Sequence, residues 1–225
     1  LYDERPQRRV YLDKFFLDKY PVTNGRFRRF GRPDYDAGAK FNEARQPVVG
    51  VTWFQARDYC TSAGKRLPTE AEWEKSARGV DGRKYPWGND WADGSKVIWG
   101  KNSGGTTHPV DRTYNTHRSP YGAVDMSGNV WQWVGDWYGK NYYANAPERN
   151  PKGPSSGSGR VLRGGPWGDD YTAVFRAANR GNGRPDDRND GISFRCAKAS
   201  ETVEIEPPPP EFPSLTGAGS VRPEA

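Results

Sequence analysis

The sequence predicts an α+β fold of an irregular, loop-rich kind, with short strands and two main helices. Three observations carry that expectation. Glycine and proline are abundant, 27 and 19 of 225 residues, so turns are many and long regular elements few. Leu, Ile, Val and Phe are scarce, whereas Trp and Tyr number nine and twelve. The core must therefore be assembled from large aromatic faces and held by hydrogen-bonded loops. Finally, only two segments carry full helix start and stop signals.

Taken in order, "RRVYLDKFFLDKYPVTNGRFRRF" opens with alternation: Val10, Leu12, Phe15 and Leu17 suggest an edge or paired strand. Thr23 or Asn24 is placed to cap a short helix with Phe27 and Phe30 on one face. "VTWFQARDYCTSAG" is the first main helix. Thr52 is its N-cap, Trp53, Ala56, Tyr59 and Cys60 fall at helical spacing, and Gly64 ends it. "LPTEAEWEKSARG" is the second. Thr69 and Glu72 have capping-box spacing, Ala71, Trp73 and Ala77 are available for packing, and Gly79 closes it. From Val80 to Pro120 turns dominate. "YGAVDMSGNVWQWVGDWY" alternates bulky residues around tight glycine turns, and "RVLRGGPW" and "GISFRCAKA" read as short core strands. After Ala199 the character changes to an acidic, proline-rich tail, so the expected division is a domain over 1–199 and a tail over 200–225.

Net charge is +6, but residues 201–225 hold five acids and one base (−4), leaving +10 on the body. That charge is interspersed with acids such as Asp58 and Glu70, and no reader motif accompanies it, so nucleic acid is not an expected partner. No run of 18 apolar residues exists and no signal peptide is visible. The two cysteines, Cys60 and Cys196, can pair as one disulfide, which would imply an oxidising compartment.

Several phrases then carry a family resemblance: "YPVTNGRF", "PVVGVTWFQARDYCTSAGKRLPTEAEWEKSARG", "YPWGND", "YGAVDMSGNVWQWVGDWY", "RVLRGGPW" and "GISFRCA". In this order the chain resembles the sulfatase-modifying-factor family, the formylglycine-generating-enzyme-like domain, from about Leu1 to Ala199. The resemblance implies an irregular, C-type-lectin-like fold. The family's usual first strand, of the type "PAG.F.MG", is absent, and Leu1 is not Met, so an upstream segment is expected to have been removed or left out.

The resemblance also tests the chemistry. The active enzymes of the family use two close cysteines, which bind copper, between the "RGG" turn and the "R.A.R" segment. Here that interval, Pro166 to Phe175, holds no cysteine, and neither Asp nor Tyr replaces a thiolate for a soft metal. Pro166 stands where the family has Ser after the paired glycines, and it offers neither hydroxyl nor N–H. No copper and no formylglycine synthesis are therefore expected. Cys60 and Cys196 match positions that form a structural disulfide in some members; a redox or metal pair is the alternative. In relatives a "D/N-x-x-G-N-x-W-E" segment wraps calcium. The matching positions are Asp125, Gly128, Val130 and Gln132, with Gln132 short of a charge; a metal-free turn is the alternative.

Other residues have two readings each. Arg163, Arg176, Arg180 and Arg195 are either bridged to Asp169, Asp170, Asp186 or Asp190, or they join Trp133 and Trp167 in a groove for an anionic or peptide ligand. On the second reading the groove comprises Trp133, Arg163, Trp167, Asp169, Asp170, Arg176 and Arg180. Trp131, Trp133 and Trp137 are core or ligand platform. Glu70, Glu72 and Glu74 suit a helix N-terminus better than acid–base work. His108 and His117 have no metal-ligand spacing.

The function expected is a non-catalytic module, a binding or assembly subunit of an extracytoplasmic complex in the periplasm or at the cell surface, with residues 201–225 strapped to a protein partner and membrane association only through an upstream anchor or that partner. The alternatives are an oxidative tailoring enzyme of unknown substrate and a lectin-like ligand-binding domain.

Overall fold

Thr52 and Thr69 start the two principal helices for the same local reason. Each hydroxyl accepts the N–H three residues on, and the side chain there, Gln55 or Glu72, accepts the cap's own N–H. Losing such a cap typically costs about 1 kcal/mol. In the computed structural model, which describes residues 2–31, 33, 35–91, 96–112 and 118–200, these helices are Trp53–Ser62 and Glu70–Arg78. In chain order the elements are β1 (Phe15–Leu17), α1 (Asn24–Phe27), α2 (Trp53–Ser62), α3 (Glu70–Arg78), β2 (Trp131–Trp137), α4 (Tyr142–Asn145), β3 (Arg160–Arg163), β4 (Gly181–Gly183), β5 (Ile192–Phe194) and β6 (Ala197–Ala199).

Four strands form the main sheet in the order β4-β3-β2-β5, with β2 antiparallel to β3 and parallel to β5; β1 and β6 form a separate antiparallel pair. Successive strand residues point to opposite faces, and β2 uses both. Trp133 joins the core formed with α1 and α2 (Phe27, Trp53, Ala56, Cys60, Phe194), whereas Val134 joins Trp73 and Ala77 of α3. The helices thus flank the sheet. The Cys60–Cys196 disulfide ties α2 to the link between β5 and β6. A third, aromatic cluster of Tyr85, Trp87, Trp91, Trp99 and Phe175 holds the long turn region, with rings stacked or edge-on at 5.0–6.3 Å.

This is the mixed α+β, loop-rich architecture expected. One local expectation fails. Val10 and Leu12 lie in no strand; Tyr11 makes a single bridge to Arg149, and the N–H of Asp13 is taken by the Asn150 side chain, so pairing begins only at Phe15.

Candidate functional site

The paired glycines after β3 turn the chain outward. Gly164 and Gly165 sit at φ of +104° and +82°, where other residues are strained, and a Cβ on Gly165 would meet the Phe175 ring at 2.8 Å. The turn delivers Trp167, half-buried, with its N–H donated to the Asp190 carbonyl and its ring 5.6 Å from Phe41. The Lys40 ammonium lies over both rings, 5.1 Å from Phe41 and 5.7 Å from Trp167. The Asp169 carboxylate accepts the Tyr171 N–H at 2.8 Å, and Asp170 is packed against Gly100. Trp167, Asp169 and Asp170 therefore share one surface loop. Lys40 and Phe41 belong beside it and were missed; the "GAKFNEA" stretch carries no periodicity that would place them.

The rest of the expected groove is elsewhere, which corrects it. Trp133 is fully buried beneath the sheet, its N–H donated to Val51. Arg163 and Arg180 are buried in an ion network with α3. Arg180 clasps Glu70 through Nε and Nη2, at 2.7 and 2.9 Å, and Arg163 reaches Glu74 at 2.5 Å. Arg163 also donates to three successive carbonyls, of Ala177, Ala178 and Asn179. Arg176 pairs with Glu4 at 2.6 and 2.7 Å. The acids that hold these three arginines are glutamates far away in sequence, not the aspartates nearby. Glu70 is consequently more than a helix-dipole residue. It is 3% exposed, and its own N–H donates to the Asp136 carboxylate at 2.8 Å. Burial, and then the Glu70 charge, push Asp136 up to about 8. Of the three tryptophans in β2, Trp131 and Trp137 are half-buried, and the Arg160 guanidinium is inserted between Trp53 and Trp137, 3.7 and 3.5 Å from the ring centres.

The calcium candidates do come together. Asp125 and Asn129 both adopt positive φ, turning the segment back on itself. The Gln132 side chain is completely buried, and its Oε1 accepts from Trp73 Nε1 at 3.0 Å and Arg195 Nε at 2.7 Å. Two donors on one oxygen fix the orientation of the amide. Its nitrogen therefore faces inward and donates to the Asp125 carbonyl at 2.6 Å, the carbonyl to which Arg195 also donates. A cation there would meet an N–H group where a second oxygen is required, alongside a buried guanidinium. As arranged, Gln132 presents an N–H and not an oxygen to Asp125, and hydrogen bonds close the turn between them.

Nor is there another metal set: no group of three or more His, Cys, Asp or Glu side chains converges among the described residues. His108 hydrogen-bonds the Ser103 carbonyl, and Arg112 lies against its ring. Burial, with Arg112 adding to it, lowers its pKa. His117 lies outside the described residues. Both cysteines are in the disulfide, so the chain has no free thiol.

An α+β scaffold of short strands, capped helices and an "RGG" turn without thiols defines a formylglycine-generating-enzyme-like domain. The chain belongs to the Sulfatase-modifying factor enzyme 1-like domain family, which it matches over residues 2–200. It is 37% identical to the formylglycine-generating enzyme of Streptomyces coelicolor, over 88% of this chain and 82% of that protein. It is 39% identical to the serine/threonine-protein kinase pkn1 of Chlamydia caviae, over 87% of this chain but 35% of the kinase, so it spans about a third of that relative's length. The inactive C-alpha-formylglycine-generating enzyme 2 of Bos taurus is 36% identical over 77% of this chain and 57% of that protein. Among solved structures, Treponema denticola variable protein 1 superposes with a TM-score of 0.75 at 26% identity (85% and 86% of the two chains), and PvdO from Pseudomonas aeruginosa with 0.73 at 27% (89% and 86%).

Proposed function

We propose that this chain is a non-catalytic member of the family that serves as a binding or assembly subunit of an extracytoplasmic complex. The observation that carries this reading is the state of its sulfur. Its two cysteines are joined in a buried disulfide, and the loop Pro166–Phe175 offers carboxylates and a proline instead of thiols. The disulfide also supports an oxidising compartment, the periplasm or the cell surface. A relative named as inactive, and kinases of which such a domain is a third, support use of the scaffold as a module. Among the described residues no helix is long and apolar enough to cross a membrane; attachment through an upstream anchor or a partner fits this reading.

In this proposal residues 201–225, which lie outside the described residues, strap the domain to its partner. Proline-rich segments lose little entropy on docking and suit that role. The test is gentle purification from the native cells of the full chain and of one lacking residues 201–225, followed by sizing and mass spectrometry. The expected result is a large assembly for the full chain only. Monomers in both samples, about 25 kDa for the full chain, would overturn the assembly reading. Turnover of a peptide or cofactor precursor would favour an oxidative tailoring enzyme, and glycan binding a lectin-like domain.

A further inference from the structure

We propose that the segment just beyond Ser200, residues 201–211 (ETVEIEPPPPE), docks in an extended form into a basic, aromatic-rimmed groove beside β1 on its own domain. The inference rests on the reading of residues 201–225 as a docking segment and divides it: residues 201–211 are held by the chain's own domain, and residues 212–225 remain to reach the partner.

The groove is an open cleft of about 530 Å³ that follows residues 12–17 and is walled by Lys75 of α3 and by residues 121–123. β1 is an edge strand: β6 pairs with one side, and among the described residues no strand pairs with the other. The rim exposes two large rings, Phe16 at 57% and Tyr121 at 58%. Lys14, Lys19 and Lys75 are among its lining residues; the Lys14 ammonium lies 5.9 Å over the Phe16 ring and that of Lys19 5.5 Å over the Tyr20 ring. The acid in the lining, Asp13, is engaged by Arg149 and Asn150. A strand edge, apolar rings and positive charge together fit an extended acidic peptide with apolar residues at alternate positions.

The chain supplies such a peptide at this place. β6 ends at Ala199 opposite Phe15, and the Ser200 N–H donates to the Lys14 carbonyl at 3.1 Å, beside the groove. At roughly 3.3 Å per residue, three residues reach about 10 Å, which spans the two strand spacings of about 4.8 Å from β6 to the free side of β1, so the run along the groove begins at Val203. Val203 and Ile205 alternate with Glu204 and Glu206, the period that puts apolar groups on one side and carboxylates on the other. Glu201 and Glu211 extend the acidic run, and Pro207–Pro210 supply no N–H, which ends strand pairing and keeps the segment extended. Tethering one residue away gives an effective concentration in the millimolar range, which favours the chain's own tail over that of another copy.

The test uses a fluorescent peptide of residues 200–212, the full chain and a chain lacking 201–225, with binding followed by anisotropy. The truncated domain is expected to bind the peptide, the full chain at least tenfold more weakly because its seat is taken, and both to run as monomers when purified alone. Lys14→Glu with Lys75→Glu, the first exposed and the second half-buried in the groove wall, should abolish peptide binding while the truncated domain still melts cooperatively. A truncated domain that ignores the peptide, or equal binding by both chains, would overturn the proposal. So would a tail-dependent dimer, which would assign the seat to a second copy. Loss of a native assembly on truncation without peptide binding would uphold the assembly reading and sink only the groove.

Discussion

The side-chain nitrogen of Gln132 donates to the carbonyl oxygen of Asp125 across 2.6 Å, with the amide locked by Trp73 and Arg195 on its other end. The turn thus satisfies internally what a metal would otherwise satisfy. Neither millimolar calcium nor a chelator should shift the melting temperature of the protein. Gln132→Glu replaces the inward N–H by an oxygen and should make stability respond to calcium. A calcium-dependent shift in the unmodified protein would contradict this account.

Glu70 and Arg180 form a buried bidentate pair, with side chains 4% and 0% exposed. Removing one partner leaves the other charge without compensation in a water-poor site. Arg180→Ala or Glu70→Ala should each cost about 3–5 kcal/mol of stability. The double replacement Glu70→Leu with Arg180→Met should recover much of that loss. Denaturant titration of the three variants measures it; losses under 1 kcal/mol for the single variants would show that the pair is not buried in solution.

Asp136 gives stability a defined pH dependence. Its folded pKa, about 8, lies above the ordinary 3.8 because of burial and the Glu70 charge, with Glu72 adding and Arg180 opposing. Between about pH 4 and pH 8 the folded state keeps a proton that the unfolded chain has released. This group's contribution to stability is therefore present below pH 4, falls as pH rises, by at most about 1.4 kcal/mol per unit, and levels off above pH 8. Asp136→Asn keeps an acceptor for the Glu70 N–H and removes the titration. Relative to the parent, the variant should gain stability steadily from pH 5 to pH 8 in thermal melts; parallel pH profiles would refute the assignment.

The Cys60–Cys196 link closes a loop of 136 residues between a helix and the β5–β6 segment. In the chain-entropy treatment a crosslink of that span contributes about 5 kcal/mol. Cys60→Ala with Cys196→Ala should lower the denaturant midpoint sharply, and reduction of the parent should reproduce the effect. A midpoint unchanged by either would mean that the link adds no net stability.

What could be read in the sequence is what is local. Thr52 with Gln55, and Thr69 with Glu72, announce their helices within four residues, and Gly64 and Gly79 close them at φ of +66° and +70°. The buried arginine pairs are not local, whereas exposed ones such as Arg83–Asp81 and Arg184–Asp187 are. Arg180 finds Glu70 across 110 residues, while the nearby Asp169 is spent on its own turn. The signal lies in α3: Glu70, Trp73, Glu74 and Ala77 share the i, i+3, i+4, i+7 face, on which Glu70, Trp73 and Ala77 are buried and Glu74 is half-buried. Glutamates on such a face require cations, and Arg163 and Arg180 supply them. The groove reading failed for the same reason: arginines close in sequence to Trp167 diverge in space, because the partners that fix them lie on other elements.

The central claim of the proposed function is that a chain with no cysteine in Pro166–Phe175 does not carry out the family's thiol chemistry. The direct measurement is incubation of the protein, in air and with added copper, with a cysteine-containing peptide bearing a sulfatase modification sequence, followed by mass spectrometry of the peptide. The account predicts unchanged cysteine after prolonged incubation, with the Streptomyces coelicolor relative as the positive control. Conversion of that cysteine to formylglycine by this chain would contradict it.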